Sequence, residues 1–180
     1  FAPLLPQGAR NELDAQPKRK RQGIVPDFMV RCRTEEAGPL TDVLVDVKTL
    51  HYGVSTYPTA AERCRAVSRR SAAVDAEYLC KARHLDQRWL DVDGGQTGPV
   101  EAKLRTFGRV RGAVVGAWAE ASPDVDWLLH QVAEMSTLHV QRPGARDAED
   151  RLPVLVHALR RRWGMAFARA NAQLLLDRLA

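Results

Sequence analysis

Two aspartates and a lysine stand in or beside valine-rich segments, where charged side chains are costly. Asp27 follows Pro26 in the first segment, and Asp46 and Lys48 lie in the second. A charge beside an apolar core is unfavourable unless it is paired or bound to a metal. Mg²⁺ binds carboxylate oxygens and keeps several waters, which leaves positions for a substrate phosphate. These residue types indicate a Mg²⁺ site for phosphodiester hydrolysis, at which we expect Mn²⁺ to substitute.

Each of the three side chains has a role in such a reaction. A bound cation lowers the pKa of a water molecule and stabilises the charge that develops on the phosphate. Asp27 and Asp46 would hold the cation. Lys48 would orient or help to deprotonate the attacking water and would offset the phosphate charge.

The two segments that carry these residues are predicted to form a β-hairpin. Strands are expected over Ile24 to Arg33 and Asp42 to Thr49, joined by a connection that contains Gly38 and Pro39. Side chains alternate along a strand, so Asp46 and Lys48 should share one face.

The pairing of the two strands decides whether the three side chains meet. If the connection from Thr34 to Thr41 is symmetric, Asp27 lies opposite Lys48 and Met29 lies opposite Asp46. Facing Cβ atoms are then ~4.5 to 5.5 Å apart and diagonal ones ~7 to 8 Å. Both carboxylates could therefore reach one divalent cation.

The remaining elements predict a mixed α/β core followed by helices. They are a long helix over Thr59 to Trp89, with a break near Ser71, a short helix over Val100 to Phe107, a strand over Ala113 to Trp118, a helix capped by Ser122 with Pro123 at its first position, a loop over Gln141 to Asp150, and a final helix over Leu152 to Leu179.

At these residues the chain resembles the PD-(D/E)xK nuclease superfamily. Pro26-Asp27 matches the first half of its motif and Asp46-Val47-Lys48 the second. The resemblance implies a restriction-endonuclease-like mixed sheet core flanked by helices. It also implies that Asp27 and Asp46 ligate Mg²⁺, that the Val47 carbonyl adds a ligand and that Lys48 is the catalytic lysine. Many members add an acidic residue from a preceding helix, for which Glu12 is the counterpart here.

A second resemblance is to nuclease-like domains found beside reverse transcriptases in mobile elements. It is carried by residues 23–48, 81–86 and 112–122.

The expected organisation is a basic, partly flexible lead-in at residues 1–22, a nuclease core at 23–122 and C-terminal helices packed on that core at 123–180. Because the sequence begins with Phe1, we also expect a longer chain upstream.

Several basic side chains are candidates for nucleic-acid contacts. Arg70, Lys81 and Arg88 fall on one face of the long predicted helix, His51 follows the strand with Lys48, and Lys18 and Arg19 belong to a basic run near the N-terminus. The formal net charge of +5 is compatible with a polyanionic partner and also with many proteins that bind none. A solvated helix face and a solvated tail are the alternative interpretations, and the basic run also resembles a nuclear-import signal.

The cysteines and the hydropathy pattern restrict the class of protein. Three cysteines without CxxC spacing favour neither a disulfide framework nor a zinc site. We find no apolar run of the ~20 residues that a membrane span requires, and we expect an intracellular protein without a membrane partner.

The sequence therefore predicts a metal-dependent nuclease, acting on DNA rather than RNA and as an endonuclease rather than an exonuclease. Two alternatives stay open: a nuclease-like domain that binds nucleic acid without cutting it, and a protein-interaction scaffold with an incidental strand motif.

Overall fold

The computed structural model describes residues 1–15, 24–33, 40–50, 56–140 and 148–179. The described part is mixed α/β, as predicted. Its elements are a short 3₁₀ turn at Ala2–Leu4, α1 at Gln7–Ala15, β1 at Phe28–Arg33, β2 at Leu40–Leu50, α2 at Ala60–Leu90, α3 at Pro99–Arg105, β3 at Arg111–Gly116, α4 at Pro123–Val140 and α5 at Ala148–Leu179. None of the helices in this part is long and apolar enough to cross a membrane.

The three strands form one mixed sheet in the order β1-β2-β3. β1 pairs antiparallel with β2, so the hairpin is confirmed. The four consecutive residues 43 to 46 of β2 are all buried, which fits the central strand of a sheet with both faces covered.

The pairing of β1 with β2 differs from the symmetric one assumed above. Met29 faces Leu44 rather than Asp46, and Phe28 faces Val45. The observed register is displaced by two residues, and a displacement by two keeps every side chain on its face. One further step along the same register brings position 27 opposite position 46, instead of opposite Lys48.

Helix α2 is continuous, without the expected break at Ser71. Its start is a capping box: the Thr59 hydroxyl accepts from the Glu62 N–H at 3.2 Å, and the Glu62 carboxylate accepts from the Thr59 N–H at 3.1 Å. The Ser71 hydroxyl donates to Asp124 Oδ2 at 3.0 Å. A serine that interrupts the apolar pattern is therefore accommodated by a buried hydrogen bond.

The chain divides into two compact units, and each unit is built from two separate segments of the sequence. The first comprises residues 1–46 and 72–112. Its core includes Leu5 and Ala9 from the N-terminal region, together with Leu44, Val74 and Leu85. Sequence analysis did not anticipate α1, whose helical structure coincides with the burial of Ala9 against this core.

The second unit comprises residues 47–71 and 113–180. Helices α4 and α5 pack on each other within it, and its buried side chains include Val67, Val114 and Val125. Pro123 opens α4 as predicted. The Ser122 hydroxyl, predicted to cap that helix, accepts a hydrogen bond from the Val114 N–H at 3.0 Å. The domain boundaries at 22/23 and 122/123 stay predictions.

A buried carboxylate organises the start of α3 in the first unit. Asp86 Oδ1 accepts from the Val100 N–H and Oδ2 from the Glu101 N–H, both at 2.9 Å. Gly98, the residue before the helix, lies so close that an added Cβ would be 2.2 Å from the Asp86 Cγ atom. Glycine at this position therefore makes room for the capping carboxylate.

We expect Asp86→Asn to lower the free energy of unfolding by about 2 kcal/mol, because one of the two N–H donors would then face an amide NH₂ group. Urea denaturation followed by circular dichroism measures the change. Asp93→Asn, in the exposed loop after α2, is the matched control and should change stability by less than about 0.5 kcal/mol. Equal stability of the two variants would contradict this role of Asp86.

Glu101 is the second buried carboxylate at this helix, with 2% of its side chain exposed. It accepts from Arg83 at 3.0 Å and from Arg105 at 2.6 Å. The hydrogen bond from Arg83 contributes most to holding the pKa of Glu101 below its ordinary value, with Arg105 acting in the same direction and burial opposing both. Both arginine side chains are about half exposed, so solvent screens part of the attraction.

The lowered pKa of Glu101 predicts a loss of stability in acid. As the pH falls below about 4.3, the unfolded state takes up the proton before the folded state does, so the contribution of this carboxylate disappears as the pH passes through the folded pKa. Glu101→Gln should flatten the acid side of the stability curve, measured by urea unfolding between neutral and acid pH. Glu134→Gln on the exposed side of α4 is the control, and an unchanged acid slope in Glu101→Gln would contradict the prediction.

Candidate functional site

Asp46 lies in the middle of β2 with 4% of its surface exposed. Its neighbours Leu44 and Val45 belong to the buried residues of the same strand. The Tyr78 hydroxyl, from α2, lies 2.9 Å from Asp46 Oδ1 and donates to it. A carboxylate thus stands in an apolar environment and is held there by a phenol from a helix, which is costly unless the group has further partners or a function.

Tyr78 also contacts the segment that carries the other aspartate. Its hydroxyl oxygen lies 3.1 Å from the carbonyl oxygen of Val25. The single hydroxyl proton is shared between this carbonyl and Asp46. Tyr78 therefore connects Asp46, which belongs to the second half of the predicted motif, to the residue that precedes the first half, Pro26-Asp27.

The pKa of Tyr78 reports the surroundings of its hydroxyl. It is raised well above its ordinary value, first by burial, next by the hydrogen bond to Asp46, and then by the negative charges of Asp46, Asp27 and Glu77. Charges act over a limited distance inside a protein. The contribution of Asp27 shows that both motif aspartates lie within electrostatic reach of one hydroxyl.

Asp27 itself is exposed and stands immediately before β1. The last pair of the register joins Phe28, which follows Asp27, to Val45, which precedes Asp46. One aspartate is thus buried and accepts a hydrogen bond from Tyr78, whereas the other is exposed to solvent.

Val47 and Lys48 continue β2 beyond Asp46. Lys48 is partly buried, and its position two residues after Asp46 gives both side chains the same face of the strand. The Val47 side chain is exposed, so the run of buried residues in β2 ends at Asp46.

The other predicted residues fall at different places. Lys81 Nζ lies 5.0 Å from the centroid of the Tyr78 ring, one turn further along α2. Arg88 forms an ion pair with Glu12, so the candidate third acidic residue and one candidate DNA contact engage each other. Arg70 is partly buried in the second unit. His51, Lys18 and Arg19 lie outside the described residues.

A two-carboxylate site fits Mg²⁺ better than it fits a metal that requires a full protein shell. In the part of the chain that the structure describes, no group of three or more His, Cys, Asp and Glu side chains could hold a metal ion. Mg²⁺ is commonly bound through one or two carboxylates and completes its shell with water and substrate phosphate. Asp27, Asp46 and the Val47 carbonyl would supply such a partial set.

Sequence reasoning missed Tyr78 as a site residue. It was counted only as an apolar position of the long helix, where its spacing fits the core. Its burial together with a hydroxyl group that needs a partner was the available signal, since buried tyrosines usually find a hydrogen-bond acceptor.

Comparison with protein-family models, curated proteins and solved structures found no match to this chain. The likeness to PD-(D/E)xK nucleases therefore depends on the motif residues and on the arrangement around Tyr78.

The raised pKa of Tyr78 predicts a loss of stability in alkali. Above about pH 10 the unfolded state releases the phenolic proton before the folded state does, so stability should fall by up to about 1.4 kcal/mol per pH unit until the folded pKa is reached. Tyr78→Phe should remove this part of the alkaline slope. It should also lower stability at neutral pH by about 1 to 3 kcal/mol, because the buried Asp46 loses a donor.

Urea unfolding at several pH values between neutral and about pH 11 tests this prediction. Tyr57→Phe is the matched control, because it removes one phenol from another part of the chain. An alkaline slope that is the same in Tyr78→Phe and in the unaltered protein would show that the Tyr78 hydroxyl is not held as described.

Proposed function

We propose that the protein is a Mg²⁺-dependent nuclease of the PD-(D/E)xK type, with Asp27, Asp46 and Lys48 as its catalytic residues. The observation that carries the proposal is the contact of one buried hydroxyl, that of Tyr78, with Asp46 and with the carbonyl oxygen of Val25, the residue before Pro26-Asp27. The second half of the motif and the residue that precedes the first half thus share one hydroxyl. An incidental pair of surface charges would not require a buried phenol between them.

The different environments of the two aspartates support distinct roles. Asp46 is fixed by Tyr78 and by burial, so its carboxylate would give a metal a ligand of defined position. Asp27 is exposed and would meet both the ion and the substrate from the solvent side. When bound, Mg²⁺ would supply charge for the phosphate oxygens and acidify a water molecule.

Lys48 would complete this apparatus from the next position on the same face of β2. An ammonium group there can orient the attacking water, accept its proton when deprotonated, or offset negative charge on the phosphate. Lys81, whose ammonium lies beside the Tyr78 ring, is the described residue of α2 that we assign to the nucleic-acid backbone.

The element order supports a restriction-endonuclease-like core. An antiparallel pair β1-β2 carries the motif, a long helix follows, and β3 joins the sheet on the other side of β2. The resemblance implies a helix, three strands, a helix and a further strand; of that order the described part has the two motif strands, α2 and β3, with the short helix α3 between the last two. Helix α1, which carries Glu12, stands in the place of the preceding helix.

The substrate assigned is DNA, and the test is cleavage. Purified protein should convert supercoiled plasmid to nicked or linear forms in Mg²⁺ or Mn²⁺ and should be inactive in EDTA. Asp46→Asn and Lys48→Ala should each reduce the rate by about 100-fold or more, in line with the loss of a metal ligand or of an acid-base group. Asp46→Asn keeps an oxygen that can accept from Tyr78, so the fold should persist.

Asp42→Asn is the matched control. Asp42 lies on the same strand as Asp46 and pairs with Arg31 at 2.7 Å on the surface, so its loss should leave cleavage unchanged. Equal cutting by all variants would identify a contaminating nuclease. Tight DNA binding without cutting would favour an inactive nuclease-like domain. The absence of DNA binding, together with a melting temperature that Mn²⁺ does not change, would favour an interaction scaffold.

A further inference from the structure

Trp118 is an exposed aromatic side chain, with 73% of its surface open to solvent. It follows β3 in the second unit, directly after a run of buried residues that ends at Gly116. Large aromatic side chains usually bury most of their area. An indole left in solvent after a buried strand therefore calls for a physical explanation.

A tight turn presents this side chain. The Ala119 N–H donates to the Gly116 carbonyl at 3.1 Å, and the Gly116 N–H donates to the Glu120 carbonyl at 2.7 Å. Ala119 has a φ of 65°, in the left-handed region that residues with a Cβ seldom occupy. The turn thus holds an unfavourable backbone conformation next to the exposed indole, as is common at binding sites.

Both carboxylate oxygens of Glu120 take part in holding the turn. Its side chain is 6% exposed and forms an ion pair with Arg63 of α2 through Oε1. Its other oxygen, Oε2, accepts from the Trp118 N–H at 3.1 Å. A buried ion pair therefore clamps the backbone of Trp118, and the indole is exposed on a rigid support.

Arg63 also contacts the indole itself. Its Cζ atom lies 5.9 Å from the centroid of the Trp118 ring, a cation-π distance. Its Nη1 lies 3.4 Å from the carbonyl oxygens of Tyr57 and Pro58. The Arg63 guanidinium is thereby held by the Glu120 carboxylate and by these two carbonyl oxygens.

The surrounding stretch of chain is strongly basic. Residues 47–71 contain the cations Lys48, Arg63, Arg65, Arg69 and Arg70, and Glu62 is their acidic residue. Arg65 and Arg69 are exposed on the side of this helix that faces away from Arg63, and Arg70 is partly buried on the side of Arg63. The cation beside the indole, Arg63, thus belongs to a helix segment whose net positive charge attracts phosphates.

We propose that Trp118 is a stacking site for a nucleobase, and that the protein consequently prefers nucleic acid with unpaired bases to a fully paired duplex. The inference rests on the nucleic-acid substrate of the proposed function and adds the class of that substrate. An exposed aromatic face with a cation beside it, on a positively charged stretch of chain, is the combination with which proteins bind single strands, because every base has a π-face and every nucleotide a phosphate. A base inside an intact duplex is already stacked on its neighbours and does not offer that face.

Binding without cleavage is the test. The full 180-residue chain is titrated in EDTA, at one fixed salt concentration, into a fluorescently labelled oligothymidine and into a duplex of the same length. Trp118→Ala should weaken binding of the oligothymidine about 10-fold, and that of the duplex by less than about 2-fold. Trp118→Phe, which keeps an aromatic face, should bind the oligothymidine within about 3-fold of the unaltered protein.

Val154→Ala is the matched control, because Val154 is an exposed apolar side chain of the same unit. It should leave both affinities unchanged. Melting curves of all variants check the fold, and Trp118→Phe keeps the test valid if Trp118→Ala proves unstable. Quenching of tryptophan fluorescence by the oligothymidine should fall in Trp118→Phe, because the stacked indole is then absent.

The outcomes separate this inference from the nuclease proposal. Plasmid cutting that depends on Asp46, together with equal oligothymidine binding by the unaltered protein and Trp118→Ala, would overturn the stacking site and leave the nuclease standing. A loss of affinity that is the same for single strand and duplex would overturn the preference for unpaired bases. Loss of self-association in Trp118→Ala, with unaltered nucleic-acid binding, would assign the indole to a second copy of the chain and would also overturn the inference.

Discussion

The burial of the Asp46 carboxylate is the constraint around which the first unit is arranged. A carboxylate at the centre of an apolar strand is strongly disfavoured unless donors compensate for the lost water. The Tyr78 hydroxyl supplies one such donor from α2, and the same hydroxyl approaches the Val25 carbonyl beside Pro26-Asp27. Helix α2 is therefore tied to β2 and to the residue before Pro26, and the negative charges of Asp46 and Asp27 both act on the Tyr78 hydroxyl.

Two other buried carboxylates, Asp86 and Glu101, stabilise local structure and differ from Asp46 in their hydrogen-bond donors. Asp86 accepts two backbone N–H groups, and Glu101 accepts from two arginines. In both cases these hydrogen-bond donors compensate the burial of the carboxylate without a bound ligand. Asp46 is held by a neutral phenol beside a second carboxylate that is exposed, an arrangement in which a divalent cation would reduce the repulsion between the two.

In the second unit, a buried carboxylate, that of Glu120, supports the backbone of an exposed side chain, that of Trp118. The ion pair of Glu120 with Arg63 and the hydrogen bond from the Trp118 N–H hold a strained turn in place. The energy of a buried interaction thereby supports an aromatic side chain that packs against little of the protein. For a protein proposed to act on DNA, such a side chain and the basic stretch that contains Arg63 would supply binding contacts beyond the three proposed catalytic residues.

The sequence by itself determined what local periodicity and residue chemistry encode. Alternation in β2 put Asp46 and Lys48 on one face, helical spacing predicted α2, and Pro123 marked the start of α4; the structure has β2 and these two helices. Tertiary structure decided what depends on distant partners. The register of β1 with β2 differed by two residues, because β2 begins at Leu40 rather than at Asp42, so the connection between the paired strands is two residues shorter than sequence analysis assumed. Helix α1 packs into the core through Ala9, and Tyr78 meets Asp46 across 32 positions of chain. Spacing along a chain cannot report these contacts, because their free energy comes from surfaces that meet only after the chain has folded.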